Sequence, residues 1–167
     1  MNTKKAAAMF VMMSKKNTLP TPKSPGTSTA DATRYQEECG SCHLAYPAKL
    51  LPARSWHQIM TTLPDHFGDD ASLDEGLQAE ILAYLSAHSA SNKSRMMKGV
   101  GYDDVPLRIT ELNFFTRKHR KIPERMVQGN PEVGSFTQCN ACHGSGAVKG
   151  KFNEHTVDIP GFGRWDD

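Results

Sequence analysis

The sequence predicts a mainly α-helical fold built as two packed modules, and three observations predict it. Apolar residues recur at helical spacing around Trp56 and Met60, and again at Leu77, Ile81 and Leu85. No segment alternates apolar and polar side chains as a half-buried strand would. A five-residue pattern of two cysteines and a histidine occurs twice, at 39–43 and at 139–143, so each half of the chain owns one copy.

The bulk numbers set the frame. Of 167 residues, 38% are apolar and 23% charged, enough for one domain or two small ones. Mean hydropathy is −0.54, and no apolar run approaches the roughly 18 residues of a membrane-spanning helix. The net charge of +2 is unevenly spread. Residues 1–30 hold Lys4, Lys5, Lys15, Lys16 and Lys23 without an acid. Residues 31–88 set three Lys/Arg against nine Asp/Glu, and residues 89–167 set twelve against nine. Two modules with opposite local fields follow, each able to orient a partner. A nucleic-acid protein is excluded, because no dense basic stripe exists.

Taken in order, residues 1–30 read as a leader. Lys4 and Lys5 precede the apolar run Ala6 to Met13, which has the outline of a short export signal. A stretch rich in Pro, Ser and Thr follows and has little to bury. The folded body is expected to begin near Asp31, with a helix over 32–42 that turns Tyr35 inward. A second helix covers 53–62. Ser72 to Glu75 form a capping box that opens a third, with Leu77, Ile81, Leu82, Tyr84 and Leu85 as its apolar face. Residues 91–104 read as a connector. Thr110 caps a short helix ending near His119, and Asn130-Pro131-Glu132 starts a helix whose end carries residues 139–143. A loop-rich wrap closes the chain, anchored by Ile159, Pro160 and Phe162.

The repeated pattern carries the chemistry. Cys39-Gly40-Ser41-Cys42-His43 and Cys139-Asn140-Ala141-Cys142-His143 are two copies of Cys-x-x-Cys-His, the attachment signature of c-type haem. Cysteines three apart on a helical turn face one side, so both thiols reach the vinyl groups of one porphyrin. The next residue then stands under the iron as proximal ligand, here His43 and His143. A zinc site would bring two such knuckles together and needs no histidine directly after each. A thioredoxin-like pair needs one motif beside a βαβ unit, which is absent. Disulfides would leave both histidines unexplained. Two covalently held haem c groups are therefore expected, one in residues 31–90 and one in 91–167. A helix before the motif and a closing helix after it give the first module the outline of a class I cytochrome c.

Each iron then needs a sixth ligand or keeps an open site. His66 sits in the loop Leu63 to Gly68 and is the candidate for the first haem, with Met60 on the preceding helix as rival. His57 looks exposed, and His88 ends a helix, where the dipole favours a cation without any iron. His119 is the candidate for the second haem, with His155 in the polar tail as rival.

Beyond the motifs, the chain resembles the family of small bacterial dihaem cytochromes c. The resemblance lies in Glu38 to Tyr46, in Leu50-Leu51-Pro52 with Trp56, and in Leu63 to Leu73. It continues in Arg108-Ile109-Thr110, His119, Cys139 to His143 and Ile159-Pro160. It covers nearly all of residues 31–160. The resemblance implies a class I-like first domain packed against an irregular second one. It also implies bis-histidine ligation of both irons, with His66 and His119 as distal ligands. The function implied is that of a periplasmic electron carrier, not an enzyme. It would stand between a membrane-bound b-type cytochrome that oxidises quinol and a soluble haem acceptor. The competing classes are a dihaem peroxidase-like enzyme and a gas-binding sensor. Both need an open iron, which candidate sixth ligands for both haems disfavour.

Overall fold

The computed structural model describes residues 29–165. The signal-like run at 1–13 lies outside them. The regular structure among the described residues is six helices, six short 3-10 turns and one two-stranded antiparallel ribbon, so the fold is mainly helical.

Helix α1 (Thr29–Cys39) begins inside the stretch read as leader and ends three residues before the expected Cys42. Its end is forced locally. Gly40 N donates to the Gln36 carbonyl at 3.0 Å, and a Cβ at Gly40 would strike that same carbonyl oxygen. The motif therefore leaves the helix as a tight turn. Tyr35 is buried, and its hydroxyl donates to the Tyr46 carbonyl.

Helix α2 (Ala53–Thr61) starts after Pro52, whose missing N–H costs nothing there. It buries Ser55, Trp56, Ile59 and Met60 on one face. Trp56 Nε1 donates to the Ala48 carbonyl at 2.7 Å, giving the indole a partner inside the core. Helix α3 (Glu75–Ala87) is capped by Asp74, whose carboxylate accepts from Leu77 N at 3.0 Å. The capping box expected at Ser72 does not form, because Ser72 bonds the Asp70 carboxylate instead. Both α1 and α2 pack on α3, around Ile81 and Leu85. Ala90 N donates to the Leu51 carbonyl and ties down the chain after α3.

The core does not stop at α3. Met97 and Leu112 are buried in the same cluster, with Val100, Ile109 and Phe115 packed against it. The supposed connector is thus partly ordered. Arg54 reaches across from α2 to Asn92 and to the Gly101 and Asp104 carbonyls. Helix α4 (Asn113–His119) begins after Leu112, because residues 109–111 form a 3-10 turn and Thr110 caps nothing.

The expected helix at Asn130 is also absent. The buried Asn130 accepts from Glu132 N and donates to the Met126 and Pro160 carbonyls, so its side chain organises a turn. The second motif is itself a five-residue helix, α5 (Cys139–His143), followed by α6 (Ser145–Val148). A strand pair that sequence periodicity misses, β1 (Asp158–Ile159) with β2 (Gly163–Arg164), closes the chain. Two residues per strand are too few for a period to register.

Further contacts join the two halves nearer the motifs. Tyr46 donates its hydroxyl to the Thr137 carbonyl at 2.9 Å, and Lys49 Nζ donates to the Gly150 carbonyl at 2.7 Å. Arg108 lays its guanidinium 4.3 Å above the Phe67 ring, a cation–π contact. Gly150 has φ +64, and a Cβ there would press on Pro47, so only glycine permits the approach.

Candidate functional site

Four histidines of the sequence analysis come together as two facing pairs. The His43 and His66 rings lie 6.1 Å apart between centroids, at an interplanar angle of 16°. The His119 and His143 rings lie 6.3 Å apart, at 78°. Each motif histidine thus faces a histidine from elsewhere in the chain.

His66 is carried by a tight turn. His66 N donates to the Asp69 carbonyl at 2.7 Å, and the two turn residues, Phe67 and Gly68, have φ of 58° and 105°. Positive φ at both central positions is the type I′ pattern, suited to glycine and strained at phenylalanine. The His66 ring is backed edge-on by Phe67 at 5.0 Å. His43 is fixed on the other side, with Nδ1 2.7 Å from the Leu44 carbonyl and the ring stacked on Tyr46 at 5.2 Å.

His119 ends α4, and the helix itself orients it. Its Nδ1 lies 2.9 Å from the Phe115 carbonyl one turn earlier, and its ring stacks on Phe115 at 3.8 Å and 16°. Phe136 meets it edge-on at 5.7 Å. His143 is met edge-on by Phe152 at 5.2 Å, and its buried Nδ1 has no partner among the described residues. A cleft of about 580 Å³ opens against Cys142 and His143, bounded by Gly144, Gly146, Asp158 and Pro160.

Burial favours the neutral form of His66, His119 and His143 and of Cys39, Cys139 and Cys142. Burial lowers the pKa of His66, helped by the neighbouring His43 and opposed by Asp69. Burial likewise lowers His119, opposed by its bond to the Phe115 carbonyl. His143 is lowered by burial and then by His119. Neutral imidazole is the form that binds a metal. The Cys39 thiol is pushed up to about 11 by burial, with the Glu38 carboxylate adding to it. Burial also raises Cys139, and it raises Cys142 together with Asp158. None of the four cysteines pairs with another.

These residues fit two c-type haems. With metal–nitrogen bonds of about 2.0–2.1 Å, as for histidine on zinc, an ion between two imidazoles separates their centroids by roughly 6 Å. Both pairs have that spacing. In three of the four rings the roles are supported further: His43 and His119 offer Nδ1 to a backbone carbonyl, which leaves Nε2 for iron, and His66 is held by its turn.

The rivals stand elsewhere. Met60 is 2% exposed within the core, and its carbonyl accepts from Gln78 Nε2. His57 is exposed. His88 caps the end of α3 with Nδ1 on the Tyr84 carbonyl, and His155 is exposed beside Asn153. The aromatic supports were not foreseen as such. Phe115 stands four residues before His119, a helical spacing that could have flagged it. Phe136 and Phe152 gave no such signal. Tyr46 links the sites, its ring on His43 and its hydroxyl on a carbonyl two residues before Cys139.

Comparison with known proteins gives the family. A family model described as dihaem cytochrome c matches residues 35–152. The X-ray structure of a dihaem cytochrome c from Shewanella baltica OS155 is 52% identical, with a TM-score of 0.69. The match covers 81% of this chain and 98% of that one. A dihaem cytochrome c from Rhodobacter sphaeroides is 46% identical, with a TM-score of 0.66, over 72% of this chain and 95% of its own. No curated protein matches.

Proposed function

Because this chain belongs to the dihaem cytochrome c family, we propose that it relays electrons between two redox proteins in the periplasm through two bis-histidine haems. As a dihaem c-type cytochrome it carries two haem c groups, and its chemistry is electron transfer. Cys39 and Cys42 would hold the first haem and Cys139 and Cys142 the second. His43 with His66, and His119 with His143, would close the two irons. The haems lie in two modules, residues 31–90 and 91–167, the first of class I cytochrome c type.

One observation carries this reading: each motif histidine faces a second histidine at the centroid spacing of paired axial imidazoles. When bound, each haem supplies a one-electron couple, and histidine in place of methionine keeps the potential low. The protein does the rest. With both histidines of each pair on the iron no place would remain for substrate, and rings held by carbonyls, turns and aromatic faces would need to move little when the charge changes. Tyr46, in contact with one site and bonded next to the other, keeps the two centres adjacent.

Periplasmic location is supported by the covalent attachment chemistry. Among the described residues no helix is long and apolar enough to cross a membrane. The donor proposed is a membrane b-type cytochrome and the acceptor a soluble haem protein. The acidic stretch 31–88 would receive a basic face of one of them.

The test is the absorbance of the reduced holoprotein on addition of carbon monoxide. Closed irons leave the spectrum unchanged at once. An immediate shift would instead give one iron an open position and favour a peroxidase-like enzyme or a gas sensor. His66→Ala and His119→Ala should each open one haem to carbon monoxide and leave the other closed.

A further inference from the structure

The two histidine pairs differ in a way that ligation alone does not require. The rings of His43 and His66 are nearly parallel, 16° apart, whereas those of His119 and His143 cross at 78°. The crossing traces to the surroundings of His119. Its ring lies flat on Phe115 at 3.8 Å and 16°. Phe136 stands against it at 77°, and the two phenylalanines are themselves perpendicular, 88° at 5.9 Å. They form a floor and a wall. The Nδ1 contact with the Phe115 carbonyl fixes the remaining rotation about the ring axis. His143 is held separately, with Phe152 edge-on at 90°.

We propose that Phe115, backed by Phe136, is the positioning residue that holds the His119 imidazole across the plane of His143, giving the second haem crossed axial planes while the first has aligned ones. This rests on the ligation of the irons by His66 and His119 proposed above. An imidazole donates π density into the iron d orbital perpendicular to its own plane. Two aligned rings raise the same orbital and separate the dπ pair widely. Two crossed rings raise both orbitals and leave them nearly equal. The irons of one small protein are thereby made electronically unlike by ring orientation, with the same atoms bound to each.

The test is electron paramagnetic resonance of the oxidised full-chain holoprotein, with near-infrared magnetic circular dichroism on the same sample. Two low-spin signals of equal spin count are expected: a rhombic one from the first haem, and one dominated by a single large gmax from the second. Phe115→Leu keeps apolar bulk and removes the flat face, so the large-gmax signal should move toward the rhombic form while the other stays. Phe115→Tyr keeps the flat face and should keep the signal. If Phe115→Leu does not fold, Phe136→Leu removes the wall and should broaden or shift the same signal alone. Two rhombic signals in the parent protein overturn the inference, as does a large-gmax signal indifferent to both leucine variants. Dichroism separates the two levels. A bis-imidazole band with two rhombic signals refutes the orientation alone, whereas a methionine-type band refutes the ligation beneath it.

Discussion

Tyr46 is one of the residues through which the two motif regions meet, and its removal has a cost that the structure sets in two steps. Tyr46→Phe deletes only the hydroxyl that donates to the Thr137 carbonyl at 2.9 Å, between residues 91 apart in sequence. Burial raises the pKa of this phenol, so it remains a donor through neutral pH. Thr137 is exposed, and water can replace the lost partner, so the loss falls near the low end of about 0.5–1.5 kcal/mol for a hydrogen bond. The bond from Tyr35 to the Tyr46 carbonyl survives, since it uses the backbone. Tyr46→Leu also removes the ring stacked on His43 at 5.2 Å, a further cost of about 0.5–1.5 kcal/mol for an aromatic pair. Denaturant unfolding of the holoprotein, followed by haem absorbance and helical dichroism, gives both numbers. The order wild type, Phe, Leu is expected, in steps of comparable size. A Phe variant as stable as wild type beside a Leu variant that barely folds would refute the two-step reasoning, because the ring would then carry everything. So would a Phe variant losing more than about 3 kcal/mol, the penalty of a deeply buried orphan.

Other outcomes follow from the same structure. Ile81 is 0% exposed where α1 and α2 meet α3, so Ile81→Ala should cost about 2–5 kcal/mol in denaturant unfolding. An unmoved midpoint would displace it from the core. Gly68 has φ 105 with open space around it, so Gly68→Ala meets pure backbone strain of about 1–2 kcal/mol. Imidazole or cyanide should displace the distal ligand faster at the first haem alone, and equal rates at both haems would contradict the role of the turn. Burial depresses the pKa of His66 and His119. A histidine whose folded pKa is depressed contributes stability above its unfolded pKa and loses it as pH falls. In the holoprotein iron also holds these nitrogens against protons, so the low-spin spectrum should survive acidification through about pH 6.5 and collapse only below it. A collapse centred higher would contradict the buried, neutral ligands. Transfer to a basic partner should slow as salt rises, since at 0.1 M the field reaches only about 10 Å. A rate independent of salt would remove the acidic stretch 31–88 from docking.

What the sequence made legible follows the strength of local signals. Cys-x-x-Cys-His declares itself because covalent attachment demands that spacing, and His66 and His119 stood out as the candidates best placed by loop and helix. The structure sets both opposite motif histidines. Helices with a broad apolar face, α2 and α3, were found to within a few residues. Elsewhere side-chain bonding decided the outcome. Ser72 turns to Asp70 and leaves the cap to Asp74, and Asn130 bonds two carbonyls and a backbone N–H where a helix start was expected. Proline after asparagine supports either result, so composition did not choose. Phe136, Phe152 and the Tyr46–Thr137 link depend on pairs brought together only by the tertiary fold, beyond the reach of any sequence window.

Near-infrared magnetic circular dichroism of the oxidised holoprotein probes axial ligation most directly, because its charge-transfer band differs between His/His and His/Met iron. Bands of the bis-imidazole kind alone, accounting for both haems, are expected from the two facing pairs. A His/Met or high-spin band from either iron would contradict them.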